Sequence, residues 1–440
     1  MNSFLNKFLL LLAIDTLSAG TTFGFGIVSH SNSFDMTVTA SSMEPRRSAR
    51  LSSFKRQVTE SDNEENAGFG PFTEMRSESI QTKTEDANKK QRIEPLLSMG
   101  VIADIQHAPI PDGASYGGVP RYYKHALEVA GVAAQHFQQS KVDLVLNLGD
   151  IIDGKCTTDF ITDNEDENSK GVGLEAIQNV VKALSAYKNG PILHTYGNHE
   201  LYNLSRESIG KILDIPFVKE SNDDLVGYRS YVKNNFRFIV LDTYDIAMMG
   251  RCPQTSEKRK KAEQILAKHN PNYPEKENSP ENLEGVQKRF VAFNGGIDSA
   301  QLTWLRSTLA EAKRNNERVI VLSHQPILPA SSSPVCLVWN YEEVLEILRE
   351  YKGNIIASFC GHAHKGGYKR DPESGIHFRV FEAVLESPHP IRTYAFVDIF
   401  ENELVVRGEG RCESACYDFS HLDCVEETSE STTEASVVSD

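Results

Sequence analysis

The sequence predicts an α/β fold with its sheets covered by helices. Two observations carry that expectation. First, between about residues 96 and 424, short and nearly continuous apolar runs alternate with stretches whose apolar residues recur at helical spacing. Strands that read as unbroken Val/Ile/Leu runs are strands buried on both faces, and helices between them supply the cover. Second, several of these runs stop abruptly at Asp, Asn or His. In α/β sheets, ligands collect outside the carboxyl ends of strands.

The elements follow in order. "MGVIADI" reads as a strand ending at Asp104, and "RYYKHALEVAGVAAQHFQQ" as an amphipathic helix. "VDLVLNLGD" is a strand ending at Asp150, "LEAIQNVVKALSAY" a helix, and "PILHTYGNHE" a strand running into a loop. "FRFIVLDTYD", "RVIVLSHQP", "NIIASFCGHAH" and "IHFRVFEAVLE" are further strands, with helices "SAQLTWLRSTLAEAKRN" and "YEEVLEILREY" among them. Residues 251–289 are polar and Pro-rich around a short helix, so a surface insertion is expected there.

Domain limits follow from composition. Residues 1–95 form an expected presequence and disordered leader, 96–424 the folded domain, and 425–440 an acidic tail. The leader beyond residue 20 is rich in Ser, Thr, Glu, Lys and Arg without apolar periodicity, which cannot offset the entropy of ordering. At the start, Lys7 precedes an apolar stretch from Phe8 to Ile14 that Asp15 cuts short. That is a minimal signal-like or organelle presequence, with an untargeted cytoplasmic chain as the alternative. No run approaches the roughly 18 apolar residues of a membrane span.

Composition excludes some partners. The 440 residues are 40% hydrophobic and 24% charged, ordinary for a globular chain, and the net charge is -15. A general nucleic-acid or anionic-membrane binder is therefore not expected. A monomer is the default expectation. The seven cysteines include no CxxC pair, and free thiols are favoured over a disulfide among Cys412, Cys416 and Cys424.

The chemistry lies at the strand ends. In chain order they give Asp104 with Gln106 and His107, Asp150 with Asp153, Asn198-His199-Glu200, His324, and His362 with His364. Singly, Gly-Asp or Gly-Asn is a turn and a lone Asp a helix cap. The ordered set, each after a strand and three of the five preceded by Gly, points to a divalent-metal site.

That order resembles the calcineurin-like metallophosphoesterases: Asp-x-His, Gly-Asp, Gly-Asn-His-Asp/Glu, a later His, and Gly-His-x-His. The resemblance implies two packed mixed β-sheets flanked by helices, with two divalent ions between the sheets. Carried over by position, Asp104 and His364 would hold the first ion, Asp150 would bridge, and Asn198, His324 and His362 would hold the second. His199 would be the catalytic histidine. The sequence departs once, with Gln106 where the family has His. His107 is not expected to substitute, since adjacent strand residues face opposite ways. An amide oxygen in place of an imidazole favours Mn²⁺ or Mg²⁺ over Zn²⁺.

The Asp-x-Gln, with "FNGGIDSAQLTWL", "VCLVWNY" and "GHAHKGGY", resembles one subfamily, the manganese-dependent ADP-ribose/CDP-alcohol diphosphatases, over residues 98–412. This resemblance implies a Mn²⁺-dependent hydrolase of the phosphoanhydride of nucleotide-diphosphate small molecules. The alternatives are another metallophosphoesterase, either a phosphomonoesterase or a cyclic-nucleotide phosphodiesterase, and a non-catalytic scaffold. Arg121 could meet a phosphate; Tyr196, Tyr202, Trp339 and Tyr341 could stack a base, although such aromatics are more often core. Glu200 and Asp153 are expected to orient His199 or cap helices. The sequon at Asn203 is discounted, because a glycan there would crowd the cleft.

Overall fold

The computed structural model describes residues 94–157, 171–220 and 224–423. The expected leader, but for residues 94 and 95, and the acidic tail lie outside the described residues.

Twelve strands form two six-stranded sheets. The first sheet holds β1 (Leu97–Ile102), β2 (Leu144–Asn147) and β3 (Ile192–His194). The second holds β4 (Arg229–Lys233), β5 (Phe236–Val240), β6 (Arg318–Leu322), β7 (Ile355–Cys360), β8 (Gly367–Arg370) and β9 (His377–Val380). The chain then returns to the first sheet with β10 (Tyr394–Ile399), β11 (Glu403–Glu409) and β12 (Ala415–Asp418). The strand orders are β12-β11-β10-β1-β2-β3 and β8-β9-β7-β6-β5-β4. Both sheets are mixed. β1, β2 and β3 run parallel, while β1 pairs antiparallel with β10. β5, β6, β7 and β9 run parallel, with antiparallel β4 and β8 at the edges.

Alternation along each strand builds the layers. Met99, Val101, Leu144, Leu146, Ala395 and Val397 from the first sheet meet Phe238, Val240, Ile320, Leu322, Ala357 and Phe359 from the second in one dry core. The intervening residues face helices. Ile102 and Val145 pack under α1 (Tyr123–Gln139) and α2 (Gly171–Leu184). Ile239, Val319 and Val321 pack under α6 (Ser299–Arg314) and α7 (Tyr341–Glu350). Burial on both faces explains why these strands read as continuous apolar runs.

Three further α-helices complete the described set: α3 (Asn198–Asn203), α4 (Arg206–Ile212) and α5 (Glu257–His269). The third corrects the expected surface insertion. Ala262 and Leu266 of α5 join Ile246, Met248, Phe290, Ala292 and Trp339 in a satellite core. The Lys258 ammonium is buried against Asp245. The expected short helix is present, but it packs against the body through Ala262 and Leu266 rather than lying free on the surface. Among the described residues, no helix is long and apolar enough to cross a membrane.

Phe359 is fully buried between the sheets and meets Phe381 edge to face at 5.3 Å. Replacing it with Ala is expected to cost about 3–5 kcal/mol, read as a lower urea midpoint at unchanged slope.

Candidate dinuclear metal centre

The carboxyl ends of β1, β2, β3, β6 and β7 converge, and each delivers one of the motifs found in the sequence. Beyond β1 and β2 the chains stay paired but lose regular strand geometry. The Asp104 amide donates to Gly149 O at 3.2 Å, and the Gln106 amide to Asp150 O at 2.8 Å. Asp104, Gln106, Asp150 and His362 all have left-handed backbones, with φ of 50°, 43°, 53° and 66°. Each costs a non-glycine residue roughly 1–3 kcal/mol, a strain that sites tolerate when their surroundings fix it.

Glycines allow the loops to close on the carboxylates. A Cβ on Gly197 would fall 2.1 Å from Asp150 Oδ1, and one on Gly361 would fall 2.5 Å from Asp104 Oδ2. Backbone donors also hold these carboxylates. The His199 amide donates to Asp150 Oδ1 at 2.9 Å, and the His362 amide to Asp104 Oδ2 at 3.1 Å. Glu200 is a cap, as expected: its Oε1 accepts from the amides of Gly197 and Asp150, both at 3.1 Å.

Two triads result. Ligand atoms of Asp104, Asp150 and His364 lie within 4.8 Å of one another, as do those of Asp150, His324 and His362. Asp150 belongs to both. The outer nitrogen of each imidazole is fixed by an acceptor. His324 Nδ1 donates to Leu148 O at 2.6 Å, His362 Nε2 to Asn294 Oδ1 at 2.9 Å, and His364 Nδ1 to Glu386 Oε1 at 2.7 Å. That leaves His324 Nε2, His362 Nδ1 and His364 Nε2 as the nitrogens that face the centre, the ones a cation would take, as metal-binding imidazoles are held.

Gln106, not His107, faces this centre, but not for the reason that strand alternation gives. The segment is irregular rather than extended, and the two left-handed residues turn the side chain inward. Gln106 Nε2 donates to Asp150 Oδ2 at 3.1 Å and to His364 Nε2 at 2.8 Å. Its Oε1 is buried without a partner, and a half-turn of the amide exchanges the two atoms. His107 points away and bonds through Nδ1 to Tyr123 O at 2.9 Å.

Electrostatics show a site short of positive charge. Burial pushes the Asp104 carboxyl up to about 6, against the pull of His364 and His324. Burial also opposes the charge on Asp150, but His324 and His199 hold it well below the usual carboxylate range. Burial works to neutralise His324, yet Asp150 beside it raises its pKa to about 9. A proton on His324 thus supplies part of the positive charge that a cation would bring. The donor set fits divalent ions: two carboxylates, three oriented imidazoles, the Asn198 amide, and a buried amide oxygen with no partner.

The remaining expected residues divide. His199 sits at the edge, with Nε2 3.9 Å from Asp150 Oδ2 and Nδ1 3.7 Å from Asp153 Oδ2. Burial lowers its pKa against the pull of both carboxylates. Asn198 is buried one residue before it. Tyr202 meets the His199 ring edge-on at 6.0 Å. Arg121 is on the same rim, its Nη1 2.6 Å from Asp153 Oδ2. Tyr196 and Trp339 are corrections. Tyr196 is 3% exposed, packed beneath the Arg206 guanidinium in the core under the helices. Trp339 is 2% exposed in the α5 satellite core. Neither retains a face for a base. Tyr341 packs on Arg289. The Asn203 amide is used internally, donating to His199 O at 2.7 Å and Asp153 O at 3.1 Å. Cys412 and Cys416 are free thiols.

Sequence reasoning missed Glu386 and Asn294. Glu386 follows an apolar run, as the recognised motifs do, so the same strand-end rule would have flagged it. Asn294 lies in a loop and left no such signal.

With this geometry, the family comparison is direct. The chain belongs to the calcineurin-like phosphoesterases, whose family model matches residues 97–366. Among individual relatives, a manganese-dependent ADP-ribose/CDP-alcohol diphosphatase from Oryza sativa is 39% identical, spanning 72% of this chain and 92% of its own. The proteins of that name from Arabidopsis thaliana and Homo sapiens are 39% and 36% identical, spanning 74% and 72% of this chain and 98% and 91% of theirs. The crystal structure of a dimetal phosphatase from Danio rerio is similar with a TM-score of 0.66 at 32% identity, covering 74% of this chain and 100% of that one.

The raised Asp104 pKa gives a signed prediction. A carboxyl near 6 in the folded, metal-free chain and near 4 when unfolded keeps its proton between those values only when folded. Its contribution to stability is therefore present at low pH and lost as pH rises through about 6. A cation must displace that proton at low pH, and above the pKa it neutralises the exposed charge. The rise in melting temperature on adding Mn²⁺ is expected to grow from pH 5 to pH 7. A shift independent of pH would contradict the assignment.

Proposed function

We propose that this protein is a Mn²⁺-dependent hydrolase of nucleotide-diphosphate small molecules, cleaving ADP-ribose to AMP and ribose 5-phosphate and CDP-alcohols to CMP and a phospho-alcohol. The observation that carries the reading is the pair of triads sharing Asp150. The names of relatives that share most of this chain support the substrate class.

In this reading Asp104, Gln106, Asp150 and His364 would hold one ion, and Asp150, Asn198, His324 and His362 the other. A bound divalent pair supplies charge neutralisation for the phosphate oxygens and a lowered pKa for an attacking water. The protein's own groups do the rest. His199 Nδ1 accepts the Gly154 amide at 2.6 Å, so the proton of the neutral ring sits on Nε2. Nε2 is the atom on the Asp150 side, where it donates to the leaving phosphate oxygen. Asp153 both flanks His199 and anchors Arg121, whose guanidinium is placed at the rim to receive the second phosphate. Tyr202 walls the His199 ring.

A substrate panel with Mn²⁺ tests the reading: ADP-ribose, CDP-choline, p-nitrophenyl phosphate and cyclic AMP. AMP and CMP released without orthophosphate support it. Orthophosphate from the monoester, or turnover of cyclic AMP alone, would replace it with the phosphomonoesterase or phosphodiesterase reading. His199→Ala is expected to lower kcat by roughly 10²–10⁴-fold with two ions still bound, counted by metal analysis. Joint loss of metal and activity would remove the separate role given to His199. Gln106→His is expected to move metal preference toward Zn²⁺ in competition with Mn²⁺; an unchanged preference would sink the oxygen-ligand argument.

A further inference from the structure

Asn198, like Gln106, poses a problem that the carboxylates and imidazoles of the centre do not. A carboxylate offers oxygen whichever way it turns, and an imidazole whose outer nitrogen is tied presents the other as a lone pair. A carboxamide has two ends of nearly equal size, and only its oxygen binds a cation. Something must decide which end faces the metal.

The surroundings of Asn198 Oδ1 supply the decision. Tyr244 Oη donates to Asn198 Oδ1 at 3.1 Å. Tyr244 is fully buried, and its ring lies 6.0 Å from that of His324, the imidazole facing Asp150. The hydroxyl that holds Asn198 Oδ1 therefore belongs to a ring beside His324 of the Asp150–His324–His362 triad.

Tyr244 is itself held on both sides. Its amide donates to Asp242 Oδ1 at 3.1 Å, and its carbonyl accepts from Arg206 Nη2 at 2.5 Å. Arg206 and Asp242 are a buried ion pair at 2.5 Å, and Gln301 tethers the loop by donating to Asp242 O at 3.0 Å. A phenol fixed this firmly can hold one lone pair of an amide oxygen while the other stays open.

We propose that Tyr244 is a positioning residue. Its hydroxyl fixes the Asn198 amide with the oxygen toward the second metal position, so that this ion meets an oriented ligand. This deepens the proposed function and rests on its assignment of Asn198 as a ligand. Groups that orient metal ligands from outside typically change metal affinity by about 10–100-fold.

The test uses the full chain, Mn²⁺ as the probe, and equilibrium titration followed by metal-sensitive spectroscopy. The wild type is expected to bind two ions. Tyr244→Phe, which removes one oxygen and leaves the packing, is expected to weaken the second ion by about tenfold or more with the first unchanged. Asn198→Asp supplies the check. Because a carboxylate has no wrong end, adding Tyr244→Phe to Asn198→Asp is expected to cost less than about threefold. Should Tyr244→Phe unfold on its own, the same comparison is made with Tyr244→Met. Wild-type affinity at both positions in Tyr244→Phe, or an undiminished loss in the Asn198→Asp background, overturns the proposal. A wild type that binds fewer than two ions instead overturns the functional reading beneath it.

Discussion

Two carboxylates brought together in a dry cleft are the constraint on which the rest of this structure depends. Asp104 and Asp150 are almost completely buried and belong to one triad, where each raises the cost of charging the other. Protein does not leave such a pair uncompensated. Backbone amides of His199 and His362, the Gln106 amide and the His324 imidazole all turn toward the two groups. The left-handed backbones at Asp104, Asp150 and His362 are the local distortions at this point of convergence.

The two sheets divide the ligands by chemistry. β1, β2 and β3 lead to Asp104, Asp150 and Asn198, all oxygen donors; β6 and β7 lead to His324, His362 and His364, all nitrogen donors. Neither sheet has a complete set. The centre exists only once the apolar faces have packed, so burial of Phe359, Leu322 and their neighbours against Leu146 and Val101 also assembles the site. The hydrophobic effect supplies the free energy that offsets bringing like charges together. Metal binding then returns part of it, because ions that bind only the folded chain stabilise it.

Much of this was legible in the sequence. The order of strands and helices is carried by period and by runs, and the ligand positions by the abrupt change from apolar to Asp, Asn or His at strand ends. Those signals are local. What failed was not local. Tyr196 and Trp339 look the same in a sequence whether they line a cleft or a core; only packing against the Arg206 guanidinium and the α5 helix decides it. The charged segment around Lys258 read as surface because its partner Asp245 could not be paired with it in advance. Gln106 was placed correctly on a wrong premise, since the chain there is not a strand.

The choice of Gln106 connects the local exchange to the whole site. An imidazole at that position would need an acceptor behind it, as Leu148 O, Asn294 and Glu386 serve the three histidines. The Gln106 amide instead turns Nε2 toward Asp150 and His364, and its buried Oε1 has no partner. Exchanging a nitrogen ligand for an oxygen ligand moves the centre toward harder ions while leaving its charge unchanged, because both side chains are neutral. The two carboxylates still set the charge that ions must balance. In the proposed reading Gln106 would tune which cation the site prefers, whereas Asp104 and Asp150 would set its need for cations.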